Sequence, residues 1–215
     1  MFSNSPELFI TAAHECPYLA GRKAMNLLVD PGYDMDVATY GRLLDEGFRR
    51  SGADVYRPCC YRCQACVSTR ILVEQFCPSR SQRRTWKRNQ DLQVCINESG
   101  YRSLYTPLYL NYINSRHLGG GMDEDSPDTF ANFIVTDWCD TPLIEFWRDD
   151  QLLAVAATDR LPQGLSAVYT FFDPSEGSKR GLGTFAIMWQ IHWAAQLGLP
   201  YVYPGYWIAE SPKMN

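Results

Sequence analysis

From Asp36 to Arg50, apolar residues fall at Val37, Tyr40, Leu43 or Leu44, and Phe48. This spacing predicts an amphipathic helix that Ser51-Gly52 ends. Val67 to Phe76 is rich in β-branched and apolar residues and predicts a strand stopped by Pro78. Ser79, with Gln82 three positions on, has the form of a capping box, so a helix is expected to begin at Arg80. On that helix Arg80, Arg84, Lys87 and Arg88 share a side, while Trp86 and Leu92 reach inward. A short strand, Gln93 to Asn97, follows. Leu104 to His117 carries Leu108, Tyr109, Tyr112 and Ile113 at helical spacing and runs into Gly119-Gly120-Gly121 and Asp123-Glu124-Asp125, a helix leading into a loop. A further helix is expected around Asp128 to Thr136, capped by Ser126 or Asp128, with Pro127 near its first turn.

Three apolar runs come next, Leu143 to Arg148, Leu152 to Asp159 and Ser166 to Phe172. Asp149-Asp150 and Pro162-Gln163-Gly164 separate them, which reads as an antiparallel meander. Leu182 to Leu197 is apolar nearly all round and predicts a buried helix, His192 included, that Gly198 and Pro200 end. Tyr201 to Ile208 reads as a last strand. A meander, a glycine turn (Gly181-Leu182-Gly183), a buried helix and a returning strand are the order of a GNAT-type acyltransferase core. The fold expected is mixed α/β of the α+β type: a GNAT-like core with a mainly antiparallel sheet flanked by helices at 76–215, preceded by a cysteine-rich subdomain at 1–75.

Composition supports a folded chain. Of 215 residues 46% are hydrophobic and 20% charged, and a chain of this length buries about 70% of its unfolded surface. No apolar run reaches the roughly 18 residues of a membrane span, and the N-terminus lacks the pattern of a secretory signal, so a cytoplasmic protein without membrane partners is expected. A formal charge of −4 argues against general affinity for nucleic acid and against DNA as a partner. Any RNA contact must be a local cationic patch. Arg80, Arg83, Arg84, Lys87 and Arg88, with one acid before residue 92, form such a patch. Its arginines suit paired capture of phosphate or carboxylate, and the alternative is a solvated helix face.

Cys60, Cys63 and Cys66 follow Cys59 with the spacing of a loop that folds around zinc or an iron–sulfur cluster. Cys16, Cys59 or His14 would supply a fourth ligand, and the set taken here is Cys16, Cys60, Cys63 and Cys66. The alternative is a group of reduced, buried thiols. Gly181 and Gly183 would let the backbone approach an acyl donor at a helix N-terminus; Ser178 stands where a coenzyme A site wants Arg or Gln. His117 and His192 are read as structural. Glu145, Asp159 and Asp173 lie in or beside the meander, where a carboxylate could accept a proton.

At these residues a resemblance becomes specific. HECPYLAGRKA, YGRLLDEGFRRSG, VYRPCCYRCQACVSTRILVEQFCPSRSQRRTWKRNQDL, AVAATDRLPQGLSAVYTFFDP and GLGTFAIMWQIHWAAQLGLPYVYPGYWI together resemble the bacterial arginyl-tRNA-protein transferase family, nearest to the aspartate/glutamate leucyltransferases. The resemblance implies transfer of an amino acid, leucine first and arginine as the alternative, from aminoacyl-tRNA to N-terminal Asp or Glu of proteins, in the N-degron pathway. No cofactor is required for that chemistry. For that reaction Asp173, Glu145 and Tyr169, beside or within the meander, are the candidates for the reacting centre. Arg80, Arg83, Arg84, Lys87 and Arg88 would lie on phosphates or the acidic side chain, Gly181 and Gly183 beside the donor, and Tyr206 and Trp207 along its wall. Departures are Pro204, where leucine is usual, and Gly181, where serine is common; relatives also continue beyond Asn215. An acetyl-coenzyme A-dependent acetyltransferase and a non-catalytic RNA-binding module are the rival readings.

Overall fold

The computed structural model describes residues 5–116, 133–134, 136–211 and 214. A small sheet comes first. Its strands β1 (Leu8–Ile10), β4 (Asn26–Val29), β5 (Arg49–Ser51) and β6 (Asp54–Pro58) are ordered β1-β4-β6-β5, and a two-stranded ribbon of β2 (His14–Glu15) and β3 (Lys23–Ala24) stands beside it. Helix α1 (Val37–Asp45) lies between β4 and β5. Asp36 caps it by accepting from the Thr39 amide at 2.6 Å.

The expected helix from Asp36 to Arg50 is therefore shorter. Gly47 takes φ +92°, which a side chain rarely adopts, and the Phe48 amide turns back to the Leu43 carbonyl. Arg49 and Arg50 leave the helix and enter β5, where both are buried.

The larger sheet has six strands in the order β7-β12-β11-β10-β9-β8: β7 (Val67–Leu72), β8 (Gln93–Asn97), β9 (Leu143–Arg148), β10 (Gln151–Leu161), β11 (Gly164–Phe172) and β12 (Tyr201–Trp207). All neighbours are antiparallel except β11 and β12, which run parallel and pair only over Gly164–Ser166 and Tyr201–Tyr203. Beyond Ser166 and Tyr203 the two strands share no register pair. The meander stands as the apolar runs indicate, with Asp149 (φ +52°) in one hairpin turn and Pro162-Gln163 joining Leu161 to its partner Gly164 in the other. The strand expected to reach Phe76 stops at Leu72, and Val73 to Gln75 form a turn. β7 lies within 1–75 yet belongs to the large sheet, paired with β12.

Helices cover both faces. Phe146 of β9 meets Phe185 and Trp189 of α5 (Leu182–Gln196). Its neighbour Glu145 accepts from Tyr105 of α3 (Tyr105–Arg116). Adjacent residues of a strand point to opposite faces, so α3 and α5 are on opposite sides. Helix α2 (Arg80–Arg88) lies outside α5, with Trp86 against Phe185 and His192 at 5.3 and 5.8 Å. His192 is exposed rather than buried, because α5 turns one edge of its C-terminal half to solvent. A short helix not expected from sequence, α4 (Pro174–Arg180), separates β11 from α5. Of the helix expected around Asp128 to Thr136, only Phe133, Ile134 and Thr136 are among the described residues; His117 is not.

The small sheet is fixed to the large one by a second core, in which Tyr40, Leu44, Phe48 and Val55 meet Leu161 and Tyr203. Beside that core lies a buried ion pair. Arg50 of β5 donates from Nε and Nη2 to the two carboxylate oxygens of Asp159 in β10, both at 2.7 Å, and neither side chain is exposed at all. The remaining guanidinium hydrogens go to the Gly52 and Ile134 carbonyls and to Thr141. Asp159, read from sequence as a proton acceptor, is thus a structural anchor.

Removing one partner of such a pair strands the other charge. Arg50→Met or Asp159→Asn alone should lower stability by about 3–5 kcal/mol, measured by urea unfolding. The double variant Arg50→Met/Asp159→Leu should recover most of that loss. A double variant no more stable than the singles would assign the loss to something other than the stranded charge.

Candidate active site

The Ser79 hydroxyl accepts from the Gln82 amide at 3.3 Å and the Gln82 side chain accepts from the Ser79 amide at 2.8 Å, so the capping box read from the sequence is formed. It fixes the start of α2 and hence the direction of its five cations. Arg80, Arg83, Arg84, Lys87 and Arg88 are all exposed. Among the described residues none of the five is in an ion pair with a carboxylate, whereas Arg148, Arg160, Lys179 and Arg180 all are.

The C-terminal end of α2 docks on the junction of α4 and α5. Asn89 donates to the Thr85 and Arg180 carbonyls at 2.9 Å, Arg88 donates to the Lys179 carbonyl, and Arg180 forms a paired bridge to Asp91 at 2.9 and 2.9 Å. That guanidinium holds the Asp91 carboxyl below the usual carboxylate range. Gly181 sits at this junction with φ +68°, ending α4 and opening α5. A Cβ there would stand 3.3 Å from the Thr85 side chain, a tight contact, and the positive φ favours glycine. Gly183 carries no such demand, its Cβ position being 3.4 Å from Phe172 in ordinary contact.

The five cations do not all lie toward the glycine turn. Arg88 lies toward the turn through the Lys179 carbonyl. Arg83 turns the other way, to the Pro78 carbonyl, and borders an apolar groove of about 460 Å³ between α2 and α5 that includes Trp86, Met188 and His192. The period of a helix wraps five charges in nine residues around most of its free surface.

The acid candidates are engaged. Asp173 is the N-cap of α4, accepting from the Ser175 amide at 2.8 Å and its hydroxyl at 2.7 Å. Glu145 is buried and accepts from Arg102 and the Trp147 indole, both at 2.9 Å, as well as from Tyr105. Burial first, then that hydrogen bond, pushes the Tyr105 phenol well above its ordinary value. Tyr169 stands on β11 in an aromatic group with Tyr109, Tyr112 and Phe133, whose ring centroids lie 6.4, 6.3 and 5.3 Å away.

Tyr206 turns to the small sheet and donates to the Gly47 carbonyl at 2.7 Å, while Trp207 is exposed. Tyr206 lines a cavity of about 370 Å³ together with Cys16, Cys60 and Cys66. The four thiols named from sequence are neighbours: burial first, then Cys60, Cys16 and Cys63, push Cys66 up to about 11. Among the described residues no group of three His, Cys, Asp or Glu stands in the arrangement of a metal site. Cys60 donates to the Met25 carbonyl at 3.6 Å, and Cys63 is drawn aside by the Ala65 amide and Arg22, which lower its pKa. The spacing alone did not show those competing partners.

Two functional candidates escaped the sequence reading, Arg49 and the Tyr18 and Tyr56 phenols of the 370 Å³ cavity. Arg49 is 6% exposed. It donates to the carbonyls of Phe48 (2.6 Å), Thr69 (2.9 Å), Leu44 (3.3 Å) and Gly205 (3.4 Å), and lies over Tyr203 and Tyr206 at 5.7 and 5.5 Å. Among the described residues it has no carboxylate partner. Reading residues 49 and 50 as the end of a helix hid both arginines.

Two family models match, arginine-tRNA-protein transferase N terminus over residues 14–84 and C terminus over 105–215. An aspartate/glutamate leucyltransferase of Nitrosococcus oceani is 51% identical over 97% of this chain and 88% of its own length. One of Pseudomonas fluorescens is 49% identical, over 97% and 88%. Among solved structures, L-PGS from Bacillus licheniformis matches 80% of this chain with a TM-score of 0.51 at 9% identity; this chain spans about half of it (51%), and the likeness is one of fold alone. With both halves of the family's pattern matched in order, the chain belongs to the arginine-tRNA-protein transferase family.

Proposed function

We propose that this protein transfers leucine from leucyl-tRNA to the N-terminal Asp or Glu of proteins, on a GNAT-like core, in the cytoplasm, as a step that marks them for degradation. The relatives' shared name, aspartate/glutamate leucyltransferase, supports the substrates and favours leucine over arginine. The structural observation that carries the reading is α2: five exposed cations without carboxylate partners in a chain of charge −4, docked on the glycine turn beside the end of β11. Uncompensated charge of this kind binds phosphates and releases counterions. Among the described residues no helix is long and apolar enough to cross a membrane.

The place where β11 and β12 separate receives the acyl end. The ester is already activated, and a peptide α-amine has a pKa of about 7.7–8.0, so about a tenth or more is neutral at pH 7. Direct attack on the ester carbonyl forms the new peptide bond and expels the ribose oxygen, with the ammonium proton lost as that bond forms. The protein's contribution is orientation of amine and ester. Asp173 and Glu145 are held by other partners and serve as cap and anchor. Tyr169, on the strand beside the separation, borders the acyl group.

Offered leucyl-tRNA and arginyl-tRNA carrying radiolabelled amino acids, with peptides that begin Asp, Glu, Lys or Ala, the protein should place leucine on the Asp and Glu peptides only. Arginine on the same peptides would reassign the donor; tRNA binding without transfer would leave an RNA-binding module. Stabilisation by coenzyme A in a melting assay would favour the acetyltransferase.

Asp173→Asn keeps a capping side chain of equal rank and removes the carboxylate. Its kcat should stay within about threefold of wild type. A loss of a hundredfold or more with an unchanged melting temperature would restore Asp173 as a base.

Arg80, Arg84 and Lys87 donate no hydrogen bond within the described fold. Replacing all three by alanine should leave the melting temperature unchanged and reduce the slope of log K against log salt for tRNA by about 2 to 3. An unchanged slope would remove α2 from the RNA interface.

A further inference from the structure

The 370 Å³ cavity lies on the face of the large sheet opposite α5. Tyr203 is the last residue of β12 paired with β11, and Tyr206, on the cavity wall, comes three residues later on the part of β12 beyond that pairing. The β5–β6 hairpin supplies Ser51 and Asp54 to the same wall. Between them, the Gly52 amide donates to the carbonyl of Phe133, whose ring packs on Tyr169 of β11 at 5.3 Å. The cavity therefore adjoins the site where the proposed transfer takes place.

Its chemistry is unusual in two respects. Tyr18 and Tyr56 both line it, and among the described residues neither phenol has a hydrogen-bond partner. Behind the wall lies Arg49, which pairs with Tyr56 across β5 and β6 and whose guanidinium is 5.5 Å from the Tyr206 ring. An arginine stays cationic when buried, and its charge here is met only by carbonyl dipoles and aromatic faces. Burial raises the Tyr56 and Tyr206 phenols first, and the Arg49 charge opposes that rise at both. Neutral donors backed by an unneutralised buried cation form an environment for a single anion.

We infer that this cavity is the acceptor pocket, in which the carboxylate of the substrate's N-terminal Asp or Glu accepts hydrogen bonds from Tyr18 and Tyr56 and is held by the charge of Arg49. The inference deepens the transfer reading and rests on it for the identity of the anion. Asp54, the one carboxylate on the lining, is exposed to solvent rather than buried beside Arg49. The volume accommodates a terminal residue rather than a folded domain. Selection for acidic termini then comes from the small sheet, while the tRNA is held by α2 on the other face.

Tyr18→Phe and Tyr56→Phe test this without threatening the fold, because neither hydroxyl is used inside it. Each should raise KM for an Asp-starting peptide on the order of tenfold, with kcat within about twofold, the melting temperature unchanged and leucyl-tRNA affinity unchanged. Arg49→Lys, which keeps the charge but loses the fork of donors, should raise KM less than Arg49→Gln does. Direct binding of fluorescent peptides to wild-type protein makes the test independent of catalysis: an Asp-starting peptide should bind at least tenfold more tightly than its Asn-starting counterpart, and Tyr56→Phe should erase most of that difference. Equal binding of the two peptides, or unchanged KM in both tyrosine variants, overturns the pocket. Selective binding without leucine transfer would instead leave the pocket standing and overturn the transfer reading.

Discussion

The buried pair of Arg50 and Asp159 is the constraint on which the relation between the two sheets depends. The small sheet has little interior of its own. Leu8, Phe9 and Ile10 of its edge strand are exposed, and the apolar residues it does bury need Leu161 and Tyr203 of the large sheet to complete a core. Apolar contact is non-directional and would tolerate sliding of one layer over the other. A forked guanidinium on a carboxylate, with both groups fully desolvated, tolerates very little, because any shift leaves a charge buried without its partner. Thr141 donates to the same carboxylate at 2.8 Å and completes its shell. Arg49, the next residue in β5, then reaches Thr69 and Gly205 and ties the same strand to β7 and β12. Adjacent arginines on one strand point to opposite sides, and here each fastens a different part of the large sheet.

Apart from the surface arginines already paired with carboxylates, the arginines described above fall into three electrostatic states, and these divide the molecule by task. Arg50 is buried and neutralised, which fixes geometry. Those of α2 are exposed without carboxylate partners, which suits a polyanion that arrives from solvent and leaves again. Arg49 is buried and not neutralised, a state that costs desolvation and gains little cohesion beyond its carbonyl contacts. A fold needing only a pin between β7, β12 and the end of α1 could use a neutral donor. A standing positive charge at that point adds something only when a negative group comes near it, and the transferase's acceptors are defined by such a group.

How far the sequence was legible depended on whether a signal was local. The capping box at Ser79 and Gln82, the two hairpin turns of the meander and the left-handed Gly181 are each specified within a few residues, and each stands where the pattern placed it. The end of α1 was misplaced because Phe48 continues the helical period by coincidence, while Gly47, which stops the helix, was outweighed by Ser51-Gly52. Arg49 and Arg50 then looked like a solvated helix end; their burial is decided by Asp159, Thr69 and Gly205, all distant in the chain. The cysteines show the converse case. Their spacing is local and suggestive, but the partners of two of them, Met25 for Cys60 and Ala65 with Arg22 for Cys63, are reported by no periodicity. Asp173 and Glu145 were legible as carboxylates near the right strands, but their partners are Ser175 of α4 for the one and Arg102, Tyr105 and Trp147 for the other.

That occupation shapes the chemistry. An enzyme acting on an unactivated bond needs a base with a free lone pair at the reacting atom; Glu145 is buried and accepts from three donors, and Asp173 accepts from Ser175 through Oδ1 as the cap of α4. The reaction proposed here does not require one, because its electrophile is an ester and its nucleophile is partly neutral at working pH. What it requires is that two large substrates meet with an accuracy of tenths of an ångström. A sheet in which two adjacent inner strands, β12 and β11, run parallel for three residue pairs and then cease to pair suits that requirement. In the proposed arrangement the donor would be received from the α2–α5 face and the acceptor from the small-sheet face, and the two reacting groups would meet between β11 and β12 without either macromolecule crossing the other's surface. On this geometry the rate is set by how rigidly the two faces are registered, which returns control of the chemistry to the Arg50–Asp159 pair, far from any reacting atom. A variant that loosened that pair without unfolding the protein would therefore lose kcat before it lost affinity for either substrate.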